Sequence, residues 1–248
     1  MSALTVVDRL KILCRSFYIQ ATWNYERMLS LGYCFCMIPF AKKCIKTNEE
    51  QAHFLTRNLQ FFNTHPYMAN RIIGAALKME EQAIQSKNLT DTQIDRIKKR
   101  LSESLAAVGD EMFWAQLKPI CAILGILLSL YFGLVGLVGF LVIYNVPHLL
   151  VRIRGFSVGY REGSDLIKSS SLKGYKLLLK HLPKFGGFIL GLLLIFLLDS
   201  DYIKKFSHFV AFGVGMIAMY FMIRRKVPVP LALIALVVVG AILSQFFQ

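Results

Sequence analysis

The chain has 248 residues, 55% of them hydrophobic and 12% aromatic, and a mean hydropathy of +0.51. A soluble domain is about 45–50% apolar; here the excess collects after Lys118 in uncharged runs of membrane-spanning length, which excludes a soluble globular class and indicates an integral membrane protein. The net charge of +14 sits on lysines and arginines at segment ends, where they hold topology and face anionic lipid, and no nucleic-acid-reading motif accompanies it.

In chain order, Thr5–Gln20 is punctuated by Asp8, Arg9, Lys11 and Arg15, so it has no apolar core of the kind a cleaved signal needs. Val6, Leu10, Leu13 and Phe17 recur at helical spacing, which predicts an amphipathic helix over 1–20, either on the membrane face or packed on a partner. Leu29–Ala41 is apolar but only about 20 Å long as a helix, short of a span of about 30 Å. It reads as a re-entrant or broken helix closing at Pro39 and Lys42, Lys43 and Lys46.

Asn48 and Gln51 resemble a capping box, and a helix with Ala52, Leu55, Leu59 and Phe62 on one face should follow. It ends at Asn63-Thr64-His65-Pro66, where Thr64 caps and Pro66 opens the next helix, to about Gln85. After a break at Asn88, Thr90 and Gln93 form another capping box for a basic helix to about Ala107. Gly109-Asp110 interrupts it before Phe113-Trp114.

Pro119–Val151 carries no formal charge. At about 50 Å it is too long for one span, so two segments divided near Phe132–Gly136 are expected, as a hairpin or a broken helix stopped by Arg152 and Arg154. Lys168, Lys173, Lys176, Lys180 and Lys184 form a basic stretch before the short apolar Phe185–Leu198. Spans at Phe206–Ile223 and Val227–Gln248 follow, separated by Arg224-Arg225-Lys226. The positive-inside rule puts 168–184 and 224–226 in the cytoplasm, and 199–205 and the C-terminus outside. The chain thus divides into a surface helix (1–20), a polar re-entrant region (21–118) and a transmembrane region (119–248).

Asn24, Glu26 and Arg27 stand at a membrane entrance beside Trp23 and Tyr25. Amide, carboxylate and aromatic ring together suit a sugar, whose hydroxyls take paired hydrogen bonds and whose C–H face stacks on a ring. An interfacial anchor with Arg27 snorkelling fits the same residues. Asn63 and His65 offer the sugar chemistry at a helix break, or a plain capped start. Glu80-Glu81 reads as a metal or proton pair, or as a solvated face. Asp110, followed by Trp114, reads as a ligand acceptor or an N-cap. Cys14, Cys34, Cys36, Cys44 and Cys121 form no CxxC and no Cys/His ligand set, and no nucleophile, metalloprotease or phosphate-loop motif occurs. No catalytic residue, metal or cofactor is therefore expected.

Five stretches in one order carry a resemblance. They are Ala21-Thr-Trp-Asn-Tyr-Glu-Arg-Met28 with Gly32-Tyr-Cys-Phe and Met37-Ile-Pro39; Leu59-Gln-Phe-Phe-Asn-Thr-His-Pro66; Leu77-Lys-Met-Glu-Glu-Gln82; Leu105-Ala-Ala-Val-Gly-Asp110 with Phe113-Trp114 and Pro119; and Gly155-Phe-Ser-Val-Gly-Tyr160 with Gly163. Together they resemble the IID membrane subunit of the mannose/fructose/sorbose-type bacterial phosphotransferase system, which includes N-acetylgalactosamine members.

The resemblance implies an all-α membrane protein with broken and re-entrant helices in the bacterial cytoplasmic (inner) membrane. It implies a IIC membrane partner, IIB and IIA phosphocarriers, and a hexose or amino-hexose moved by an elevator and phosphorylated from phospho-IIB. Asn24, Glu26, Arg27, Asn63, His65, Asp110 and Trp114 become its candidate sugar-site or IIC-interface residues, with Asn24 and Glu26 buried. The chain departs from the family at Glu103-Ser104 (usually Gly-Pro), Ala107 (usually Gly) and Glu111 (usually Pro), and its polar segment at 199–206 is short. A degenerate, non-transporting IID-like interaction subunit is the alternative.

Overall fold

The computed structural model describes residues 4–86, 89–168 and 171–199, and part of 213–235. Two compact units are present, Met1–Ile189 and Leu190–Gln248. Within the described residues the chain is helical, and its only bridges are isolated ones, Asn24 with Met28 and Met28 with Phe62. Among the described residues three helices are long and apolar enough to cross a membrane: Asp91–Phe132, Leu134–Leu166 and Gly174–Leu194. This is the all-α membrane class expected.

Helix α1 (Val6–Ser16) starts at a capping box between Thr5 and Asp8. It buries Ile12 and Ser16, while Val6, Leu10 and Phe17 stay exposed. Helix α2 (Ser30–Cys44) is not closed by Pro39, which lies inside it. A proline there frees the carbonyl four residues back, that of Phe35. Arg15 Nη1, from α1, donates to that carbonyl at 2.9 Å, and this is why the helix continues. Gly32, Tyr33, Cys36, Met37, Phe40 and Ala41 make α2 a core helix.

Helix α3 (Asn48–Asn58) is capped one residue earlier than expected, by Thr47, whose hydroxyl accepts from the Glu50 N–H. Its buried residues are Phe54 and Asn58, and Ala52 is exposed, so the expected face is rotated. Residues 59–68 are not helical, and α4 (Ala69–Ser86) begins three residues beyond Pro66. Thr64 does not cap it; its hydroxyl donates to the Ser102 carbonyl at 3.2 Å. Asn88 lies outside the described residues.

Helix α5 (Asp91–Gly109) opens with the expected Thr90–Gln93 box. Gly109-Asp110 does not interrupt the chain direction. The backbone widens into a π-helix, Asp110–Leu117, and returns to α-helix as α6 (Lys118–Phe132), with Pro119 in its first turn. Gly133, at φ +55°, ends α6 and starts α7 (Leu134–Glu162). A Cβ on Gly136 would lie 2.3 Å from the Leu128 backbone, so α6 and α7 form a close antiparallel hairpin.

Arg152 and Arg154 do not stop α7, which runs to Gly163, also at φ +55°. It continues because Arg152 is buried inside the fold, its guanidinium 4.9 Å from the Phe17 ring and 5.5 Å from the Tyr67 ring. Beyond it the glycine-rich stretch is the seam to α4. A Cβ on Gly159 would meet the Arg71 carbonyl oxygen at 2.0 Å, and one on Gly74 the Phe156 carbonyl oxygen at 2.3 Å. Small residues let the two backbones touch.

After a short 3₁₀ turn (Gly163–Lys168), α8 (Ser171–Asp199) joins the expected basic stretch and apolar segment into one helix. In the second unit the described residues include the end of α8 and part of an apolar helix, Gly213–Met222. The 199–205 turn after Asp199 and most of Val227–Gln248 lie outside the described residues.

Candidate functional site

The loop before α2 is shaped by one side chain. Asn24 Oδ1 accepts from the Arg27 N–H at 2.8 Å, and the Asn24 and Met28 backbones exchange bonds at 3.3 and 2.9 Å. Met28 takes φ +55°, an uncommon conformation for a residue with a side chain. The Leu29 N–H then donates to the Phe62 carbonyl at 2.9 Å, and the Phe62 N–H to the Arg27 carbonyl at 3.4 Å. Two motifs more than thirty residues apart are thereby tied backbone to backbone.

The expected burial of Asn24 and Glu26 does not hold within this chain. Asn24 is half-buried, and Glu26 and Arg27 pair at 3.3 Å with side chains 80% and 52% exposed. An ion pair so exposed contributes about 0–1 kcal/mol. It rims an open cleft of about 760 Å³ that Arg57, Gln60, Phe61, Asp91 and Asp95 also line. Asn63 is exposed and lines a smaller cleft of about 380 Å³ with Phe61 and Lys99.

From the wall of the large cleft an ion network runs inward to the buried Glu80. Arg57 meets Glu80 at 2.5 Å, Asp91 at 3.4 Å and Asp95 at 3.8 Å. Lys98 joins it, at 2.8 Å from Asp95 and 3.4 Å from Asn58 Oδ1. Burial pushes the Glu80 carboxyl up to about 7 against the opposing pull of Arg57. Glu81 accepts from the Tyr160 hydroxyl and pairs with Lys78. Both carboxylates are buried and partnered by side chains, so the solvated-face reading fails. Among the described residues no group of three or more His, Cys, Asp or Glu side chains could hold a metal.

The structure unites His65 with the π-segment. His65 is buried, with its ring stacked on Phe113 (5.2 Å, 19°) and tilted against Trp114 at 4.8 Å. A Cβ on Gly109 would strike the His65 Cβ at 2.4 Å, so the imidazole sits where the helix turns to π. Nδ1 accepts from the Tyr67 N–H at 3.3 Å, which leaves the proton on Nε2. Burial chiefly, with Arg152 and His148 nearby, pulls this imidazole down to about 4, so it is neutral. Trp114 is half exposed and Asp110 exposed, both on the π-segment, where departures from α geometry often mark function.

Sequence reasoning missed the α7 side of this cluster. Tyr67 stacks on His148 (4.3 Å, 15°), and His148 Nε2 lies 2.8 Å from Asn145 Oδ1. Asn70 Nδ2 donates to the Arg152 carbonyl at 2.9 Å. A signal was present: Asn145, His148 and Arg152 fall at i, i+3 and i+7, one helix face, in or just past an otherwise uncharged run.

A buried His148 and Arg152 on α7, one of the helices long and apolar enough to cross a membrane, fit a polytopic helical membrane protein. Comparison with known proteins gives the family. A family model described as "PTS system mannose/fructose/sorbose family IID component" matches residues 3–207, and the chain belongs to that family. The mannose-specific EIID component of Escherichia coli K12 is 35% identical over 191 residues, 77% of this chain and 68% of that one. The fructose permease IID component of Bacillus subtilis is 30% identical over 190 residues, 77% of this chain and 69% of its own. A solved structure titled "Structure of membrane protein" matches with a TM-score of 0.76 at 28% identity, covering 96% of both chains. A cryo-EM structure of the mannose transporter ManYZ in complex with microcin E492 matches with a TM-score of 0.62 at 28% identity, covering 96% of this chain and 95% of that one.

Proposed function

We propose that this IID chain works with a IIC membrane subunit to carry a hexose or amino-hexose across the bacterial cytoplasmic membrane. The sugar is phosphorylated from phospho-IIB, which IIA recharges, and moves by an elevator displacement. The spans enter from the cytoplasm at the basic start of α8. The observation that carries the reading is the union of three family motifs: the 24–28 loop pairs with Phe62, and His65, three residues on, packs on Phe113 and Trp114. In this reading Asn24, Glu26, Arg27, Asn63, Asp110 and Trp114 meet sugar or IIC, and His65 supports Trp114 from behind.

A second reading, a non-transporting IID-like subunit, draws on Glu103, Ser104, Ala107 and Glu111. Where the family usually breaks the chain with glycine and proline, α5 here runs on unbroken into the π-segment. The two are separated by purifying the chain with its IIC partner in nanodiscs and titrating hexoses and N-acetylhexosamines. Saturable binding that needs both chains and is lost in Glu26→Gln supports transport. A stable complex that binds none of them, beside a sugar-binding permease as control, supports the second reading.

A further inference from the structure

The start of α8 carries a charge pattern that the transport reading uses for orientation alone. Tyr175, Leu179, Leu182, Gly186 and Ile189 recur at alternating steps of four and three and form the seam on the first unit. Lys176, Lys180 and Lys184 lie together along one edge of that seam, all exposed. Leu177, Phe185 and Phe188 are exposed on the other side. The three lysines climb about 12 Å along the helix.

A fourth lysine shares their level. Gly186 abuts Ile120, for a Cβ there would lie 2.9 Å from the isoleucine side chain. Lys184 and Lys118 each precede that contact by two residues. The helices run the same way: α6 is antiparallel to α7, and α8 begins near the far end of α7, where Arg71 bridges Tyr175 (4.8 Å) and Gly159. Lys118 is exposed too.

Among the described residues these ammonium groups have no acidic partner. The sequence has no Asp or Glu between Asp165 and Asp199, and among the described residues none of the four lysines makes an ion pair. The apolar run that follows, Phe185–Leu198, spans about 21 Å against a hydrocarbon core of about 30 Å. The lysine turns are therefore drawn to the hydrocarbon boundary, where their stems lie in the apolar zone and their heads reach the phosphate plane.

We propose that Lys176, Lys180 and Lys184 on α8, with Lys118 on α6, form a binding edge for the phosphate headgroups of acidic phospholipids. The charge complement is one-sided, so the edge selects anionic over zwitterionic lipid, and the exposed Leu177 and Phe185 beside it meet the acyl chains.

The test uses the full chain with its IIC partner in nanodiscs of phosphatidylcholine with or without 30% phosphatidylglycerol, read by native mass spectrometry of retained lipid. Each lysine near an anionic surface is worth about fivefold in partitioning, the equivalent of about 1 kcal/mol. Wild type should retain phosphatidylglycerol at least fivefold over phosphatidylcholine, K176Q/K180Q/K184Q should lose that preference, and K176R/K180R/K184R should keep it. Equal retention of the two lipids by wild type, or unchanged preference in the glutamine triple variant, overturns the proposal. So does a preference that exists for the chain alone and vanishes with IIC, which would make the edge a protein interface. Should the triple variant fail to assemble, protection of Lys180 from a soluble acetylating reagent in the anionic discs, and not in the zwitterionic ones, decides the matter.

Discussion

Arg57 is the cation on which the α3–α4–α5 contact turns, and Arg57→Met removes it while keeping an apolar stem. Glu80, with a side chain 8% exposed, then loses its counter-ion, Asp91 loses its arginine, and Asp95 keeps only Lys98. Breaking one side of a buried pair costs about 3–5 kcal/mol when the survivor must stay charged. Glu80 need not stay charged at every pH. Its folded-state carboxyl titrates near 7, above the ordinary 4.5. The stability linked to its protonation is full below about 4.5 and is lost as pH rises through 7. Without Arg57 the folded value rises further, so the variant goes on losing stability above pH 7 where wild type has levelled off, by about 1.4 kcal/mol per unit. We expect Arg57→Met to cost about 2 kcal/mol at pH 6 and about 3 kcal/mol or more at pH 8. At pH 8 that corresponds to a fall of roughly 6–12 °C in Tm. Thermal unfolding of the purified complex at both pH values measures it. Adding Glu80→Gln should recover most of the pH 8 loss. Equal losses at pH 6 and 8, or no recovery in the double variant, refutes the argument.

Three further outcomes follow from contacts already described. Gly159→Ala places a methyl 2.0 Å from the Arg71 carbonyl and should abolish monodisperse protein in size-exclusion chromatography, whereas Gly187→Ala, with nothing within 4 Å, should elute as wild type. Arg15→Met removes the bond to the exposed Phe35 carbonyl and should cost about 0.5–1.5 kcal/mol in thermal unfolding. Pro39→Ala in that background restores the helical donor and should return most of the loss. His65 is held near 4 against an ordinary 6.5, so the stability linked to its neutral form is full above 6.5 and is lost as pH falls towards 4. His65→Phe, which keeps the ring stack, should therefore flatten the fall in Tm between pH 7 and 5.

Much of the local architecture was legible because its causes are local. Thr90 and Gln93 satisfy donors three residues apart, so the start of α5 could be read directly. A division near Gly133 could be read too, since an uncharged run too long for one span must be divided, while the structure chose the hairpin over the broken helix. Reading failed where a distant side chain supplied what the neighbours lacked. Pro39 looked like a terminator until Arg15, from another helix, answered the Phe35 carbonyl. Arg152 looked like a membrane stop until Phe17 and Tyr67 provided ring faces for its guanidinium.

Composition, hydropathy and the ordered motifs were enough to determine the membrane class, the helical content and the family, because those depend on how residues partition between water and lipid and on spacing along one chain. Tertiary structure alone decided that the 24–28 loop lies on Phe62, that His65 stacks on a π-helical Phe113 and that Glu80 belongs to Arg57. Those pairings join residues tens of positions apart. Their energies arise only after packing has excluded water and made each polar atom depend on a particular partner.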